Sequence, residues 1–236
     1  MQLTVESISK NEVLRYLNVQ PETVIPEAMN ATIDRCIEET LRVIRPAGIF
    51  HPYRFERVET GLRLAESGHV LPGETIRKFL SEAEDTVYIM AVTVGSGMDR
   101  LIRTKMVSAP EEGVIIDTCG AAAVEAAADA LESEIRAAVR AEGKYLTGRY
   151  SPGYGDLPLE LQPDILRLLD TGRRIGLMVT GSVLMTPSKS VTALMGVTNE
   201  TSKAAYNQCD DCKLRFNCGL RKAGKTCWKT RSESAS

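Results

Sequence analysis

Two groups of residues in this 236-residue chain have types and spacings that could do chemistry. The first is the run Arg149-Tyr150-Ser151-Pro152-Gly153-Tyr154-Gly155-Asp156. Pro152 fixes its own φ and pushes Ser151 away from helix. Gly153 and Gly155 can take positive φ and let a ligand approach bare backbone. Tyr154 offers a ring face and a hydroxyl, and Arg149 a planar fork that suits a carboxylate. The spacing predicts a tight loop with an arginine at its entrance, running into a helix near Glu160. The alternative is a surface turn with a solvated arginine. The second group is Cys209, Cys212, Cys218 and Cys227, spaced C-x2-C-x5-C-x8-C. Four thiolates this close can complete a shell for zinc or an iron–sulfur cluster. Free or redox-active thiols are the other reading, and the spacing matches neither a zinc ribbon nor a bacterial ferredoxin run.

The two histidines carry less. His51 and His69 have no carboxylate or cysteine at ligand spacing, which predicts surface or turn positions. Glu125, Asp129 and Glu132 lie at i, i+4 and i+7 on one helical face. They form either a solvated acidic face or a surface on which Glu125 meets a ligand cation.

These residues need elements to hold them. Cys119 to Glu142 reads as one long helix with ten alanines and a core stripe of Val124, Ala128, Leu131, Ile135 and Val139. Gly143 stops it. Upstream, Val114-Ile115-Ile116 reads as a short strand with Asp117-Thr118 as a cap. Thr86–Val94 is almost continuously apolar, as expected of a strand buried on both faces. It runs into Gly95-Ser96-Gly97, a structural turn at the start of a helix that could line a ligand pocket. Earlier, residues 9–18 and the stretch from Pro26 to Ile44 predict helices. The second buries Met29, Ile33, Cys36, Ile37 and Leu41, with Cys36 an inert core thiol. His51 to Leu71 reads as one or two strands, and Thr75–Ala83 as a short helix. After the loop, Glu160–Leu169 predicts a helix ended by Gly172. Ile175–Met185 and Val191–Val197 predict two strands joined by a turn at Pro187-Ser188-Lys189.

Composition bounds the class. Hydrophobic residues are 43%, charged residues 25% and net charge −2, the balance of a soluble globular protein with a sizeable core. No apolar run approaches a transmembrane helix and the start has no signal-peptide pattern, which predicts a cytoplasmic protein with no membrane partner. Residues 201–236 hold eight Lys/Arg and three Asp/Glu, so the tail is basic and the body acidic. The division predicted is 1–200 as one domain and 201–236 as a basic four-cysteine tail. Tyr206, Phe216 and Trp228 are too scattered for a nucleic-acid stacking platform.

Arg149-x-x-Pro152-Gly153-Tyr154, the helix after it, and Ile175-Gly176-Leu177-Met178-Val179-Thr180-Gly181-Ser182-x-x-Met185-x-Pro187-x-x-Ser190-Val191 resemble the activation domain of cobalamin-dependent methionine synthase. The likeness runs over about 149–197. The alanine-rich helix with Glu125 also resembles that family's helix before the loop. The resemblance implies an α+β fold, a twisted, mainly antiparallel sheet flanked by helices. It implies S-adenosylmethionine bound by Arg149, Pro152, Gly153, Tyr154 and Gly155, with Glu125 on the ligand's amino group. It implies a repair role, in which an electron and a methyl group from S-adenosylmethionine restore methylcobalamin from cob(II)alamin. The partners implied are a cobalamin-dependent methionine synthase or other corrinoid protein and a low-potential electron donor such as flavodoxin or ferredoxin. The family's Asp-x-His-x-x-Gly cobalamin motif is absent, since Ile49 and Ser67 stand two before the histidines. Cobalamin must therefore come on the partner. The family's Pro-Gly-Tyr-Pro also becomes Pro152-Gly153-Tyr154-Gly155-Asp156, and the family has no four-cysteine tail. The competing function is a non-catalytic, S-adenosylmethionine-responsive regulatory module with a zinc-binding tail.

Overall fold

In the computed structural model, residues 1–20, 23–199 and 216 are described. The four tail cysteines lie outside them. Helix α1 (Lys10–Tyr16) starts at Ser9, whose hydroxyl accepts from the Glu12 amide. Helix α2 (Glu27–Val43) follows Pro26 and buries Ile33, Cys36 and Thr40, while Met29 stays exposed. Three strands come next: β1 (Ala47–Val58), β2 (Gly61–Leu64) and β3 (Val70–Pro72). Helix α3 (Glu74–Phe79), strand β4 (Thr86–Thr93) and helix α4 (Ser96–Ser108) follow. Helix α5 (Pro110–Ala141) leads to β5 (Tyr145–Leu146). After the loop come a 3₁₀ turn (Leu159–Leu161), α6 (Gln162–Leu168) and α7 (Thr171–Ile175). Strands β6 (Met178–Val179), β7 (Met185–Thr186) and β8 (Ser190–Thr198) close the described chain.

Six strands form one antiparallel sheet in the order β3-β2-β1-β4-β8-β5, so the fold is the α+β arrangement expected. The β4 strand is central and covered on both faces. Met90 and Val92 face one core with Ala193 and Met195 of β8, under α1, α2 and α5. Val87, Ile89 and Ala91 face the other, with Leu194, Tyr150 and residues of α3 and α6. Period-2 alternation and helices on each side explain why β4 has almost no polar position. The alanines of α5 let it lie close on the sheet. Fully buried Leu131 is so near β1 that a Cβ on Gly48 would stand 2.8 Å from its Cδ2.

Two local expectations fail. Val114-Ile115-Ile116 is not a strand but part of α5. Pro110 in the first turn and the acids Glu111 and Glu112 start the helix earlier. Gly113, Ile116 and Gly120 are buried while Val114 is exposed, a helical period rather than an alternating one. Asp117 is no cap; it pairs with Lys189 at 2.9 Å. The second failure is at 172–189. Gly172 lies inside α7, which Gly176 ends with φ 66°. Residues 175–185 do not make one strand, because a turn at 180–184 folds β6 back on β7. Thr180 donates its amide to the Leu184 carbonyl at 2.8 Å, and its hydroxyl accepts the Leu184 amide. Pro187–Lys189 then joins this hairpin to β8, which pairs with β4 and β5 instead.

Candidate functional site

The chain leaves α5 at Gly143, enters β5, and stays bonded to β8 as far as Tyr150. Tyr150 and Leu194 exchange two backbone hydrogen bonds, 2.9 and 2.7 Å. The loop then folds on itself. The Tyr154 amide donates to Ser151, Gly153 to the Leu157 carbonyl and Leu157 to Tyr154. Gly153 and Gly155 take φ 92° and 53°, the left-handed values their spacing anticipates. Pro152 is buried and Tyr154 half exposed. The fully buried Tyr150 ring packs on Phe79 and meets the Tyr154 ring edge-on at 5.9 Å.

Arg149 points back at α5. Its Nη2 lies 2.5 Å from Asp129 Oδ1 and 3.4 Å from Glu125 Oε2, and its Nε lies 3.2 Å from Glu132 Oε2. Its side chain is only 13% exposed, so water screens these contacts less than on an open surface. Glu132 also holds Arg136, which donates to the carbonyls of Leu146 and Thr147 at 2.9 and 2.7 Å. Three carboxylates and two guanidiniums thus share one patch. The acidic face of α5 is not simply solvated. It receives the arginine of the loop, and Glu125 is one of three acids there.

Sequence reasoning placed Glu125, Asp129 and Glu132 on one face but could not see that Arg149 returns to it. It missed Arg136, whose spacing of four from Glu132 is a signal for a pair. Tyr150 and Thr75 were also missed. Neither histidine joins the loop: His51 lies exposed on β1, edge-on to Tyr53, and His69 stands 4.0 Å from Asp164. Cys36 and Cys119 are buried thiols, and burial pushes the Cys119 thiol up to about 12. Gly95, with φ 86°, and Gly97 line a separate cleft of about 510 Å³ with Arg45, Arg100 and Arg174. No described helix is long and apolar enough to cross a membrane.

The sequence model for the vitamin B12 dependent methionine synthase activation domain matches residues 73–214. Among solved structures, the chain is similar to one described as the crystal structure of the MetH reactivation domain bound to AdoHcy. That likeness has 17% identity and a TM-score of 0.62, covering 95% of this chain and 84% of the other. At that identity it is a likeness of fold, and it extends through the N-terminal strands where the sequence carries no recognised motif. No curated protein matches the chain. With the family match spanning more than half of its length, the chain belongs to the vitamin B12 dependent methionine synthase activation domain family.

Proposed function

We propose that this chain binds S-adenosylmethionine at Arg149, Pro152, Gly153, Tyr154 and Gly155, with Glu125 beside them. Bound there, the ligand would supply the methyl group that returns cob(II)alamin to methylcobalamin on a separate corrinoid protein. The observation that carries this reading is the Arg149 guanidinium held against Glu125, Asp129 and Glu132 beside an open glycine loop. The ligand has a carboxylate, an amine and a sulfonium. The Arg149 guanidinium suits the first, and the carboxylates around it suit the two cations. Tyr154 exposes a ring next to backbone without side chains, which fits a flat heterocycle.

The reaction balances with one electron. Cobalamin on the partner, given one electron by a low-potential donor such as flavodoxin or ferredoxin, would supply the nucleophile that takes the methyl group, and S-adenosylhomocysteine would be the leaving group. A sulfonium gives up its methyl without acid or base, so this chain's residues need only bind, orient and exclude water. A loop without His or Cys is adequate. Residues 1–200 would form this module. The tail, 201–236, would hold an iron–sulfur cluster, or failing that zinc, on Cys209, Cys212, Cys218 and Cys227. A cluster could relay the electron and zinc could not.

The test is reconstitution. Protein, S-adenosylmethionine, a cob(II)alamin-loaded methionine synthase and a low-potential reductant should give the methylcobalamin spectrum, and omission of the reductant should abolish it. Binding without methyl transfer to any corrinoid partner would make the chain a regulatory module instead. Absence of binding would remove the proposed site.

The tail has its own readout. Anaerobically purified protein should be brown, with about one cluster per chain. Colourless protein with one zinc would end the relay, and metal-free protein with four titratable thiols would end both assignments.

A further inference from the structure

Directly after Gly155, where the loop departs from the family's Pro-Gly-Tyr-Pro run, stands Asp156, and its side chain does not face solvent idly. Its carboxylate accepts the backbone N–H of Glu74 at 2.7 Å and of Thr75 at 3.1 Å, and also the Thr75 hydroxyl. Helix α3 has no cap from its own segment, because the residue before it is Gly73. That glycine is required: a Cβ there would stand 3.0 Å from Asp156 Cγ, and its φ is 127°. Residues more than eighty positions apart thus interlock, glycine against carboxylate.

The contact continues into the loop. The Asp156 amide donates back to Thr75 Oγ1 at 3.2 Å. The Tyr150 hydroxyl lies 2.7 Å from that same oxygen and 3.1 Å from the Tyr154 carbonyl. Thr75 Oγ1 is therefore a hub that joins Asp156, the buried Tyr150 and, through it, Tyr154. Partial burial works against charge on Asp156, but the Thr75 hydroxyl and the amides of Glu74 and Thr75 outweigh it. They hold the carboxyl below its ordinary value, so it is ionised at neutral pH.

We propose that Asp156 is a positioning residue for S-adenosylmethionine: through Thr75 and Tyr150 it fixes the backbone and ring of Tyr154 against the ligand without touching the ligand itself. The inference rests on the ligand reading above. It assigns to the 155–156 departure the task of locking the loop to α3.

Calorimetric titration of S-adenosylmethionine into the full chain tests it. Asp156→Ala should weaken binding about fivefold or more, the size of a lost cap. Asp156→Asn keeps one acceptor oxygen but turns its NH2 against a donor that the second carboxylate oxygen satisfied, so it should lose affinity in the same direction, and Thr75→Ala should follow Asp156→Ala. Ser9→Ala removes a comparable cap from α1 on the opposite face of the sheet. It should lower the melting temperature with affinity kept within twofold. Native-like affinity in folded Asp156→Ala would overturn the inference and leave the ligand site standing. An equal affinity loss in Ser9→Ala would overturn it as well, by showing a general loosening. Failure of the unsubstituted protein to bind would instead overturn the ligand reading itself, and the inference with it.

Discussion

Arg149→Ala is expected to weaken S-adenosylmethionine binding roughly tenfold to a hundredfold, the value of a charge-assisted hydrogen bond of about 1.5–3 kcal/mol. The sequence alone suggests that such a variant folds normally. The structure adds a cost. Arg149 pairs with Glu125, Asp129 and Glu132, and its removal leaves three carboxylates close together without that contact. A further loss of about 1–3 kcal/mol in stability should accompany the lost affinity, as for a charged group deprived of its partner in a half-buried setting. Arg149→Lys separates the two effects. It restores the charge but not the planar fork, so stability should recover more than affinity. Calorimetry and thermal unfolding measure both. A folded Arg149→Ala with unchanged affinity would take this residue out of the site.

Gly155→Ala should be more damaging than its one added carbon suggests. The residue sits at φ 53°, where an L side chain costs about 1–3 kcal/mol. A Cβ would also stand 2.6 Å from the Tyr150 hydroxyl and would overlap Thr75 Oγ1. Neither neighbour can retreat, because Tyr150 is fully buried and Thr75 is bonded to Asp156. The loop must therefore move, and S-adenosylmethionine affinity should fall by at least about tenfold, or roughly 1.4 kcal/mol. Gly143→Ala is the control. Its φ is 74°, but nothing lies within 4 Å of the added carbon. It should show the strain in thermal unfolding and none of the affinity loss. Equal affinities in the two variants would mean that the loop's shape does not matter to the ligand.

How much of this was readable beforehand depends on the range of the interaction. The β4 strand, the core stripe of α5 and the glycine turns of the loop are local patterns, and they stand where the sequence puts them. The Val114–Ile116 segment misled because three β-branched residues in a row look like a strand until the helix start at Pro110 is taken into account. Residues 175–185 misled because an apolar run does not reveal where a threonine will fold it back. The site itself was half visible. The loop announced itself by its prolines and glycines. The return of Arg149 to α5 and the bond from Asp156 to α3 are long-range pairings, and no periodicity reports them. The sheet's first three strands carry no recognised motif, and their residues pack into the cores on the sheet's faces.

The order of strands has a kinetic consequence. Central β4 pairs with β8, where Val87 faces Gly196, more than a hundred positions away in sequence. Contacts of such separation close late, because the chain loses loop entropy before the pairing returns any gain. Helix α5, by contrast, consists of neighbouring residues and can form early. The loop is anchored by the Tyr150–Leu194 bridge, which cannot exist before β8 docks. During folding, the carboxylates on α5 should therefore be in place before their arginine arrives. Ligand-binding competence should appear with the slowest phase of refolding rather than with the helical signal.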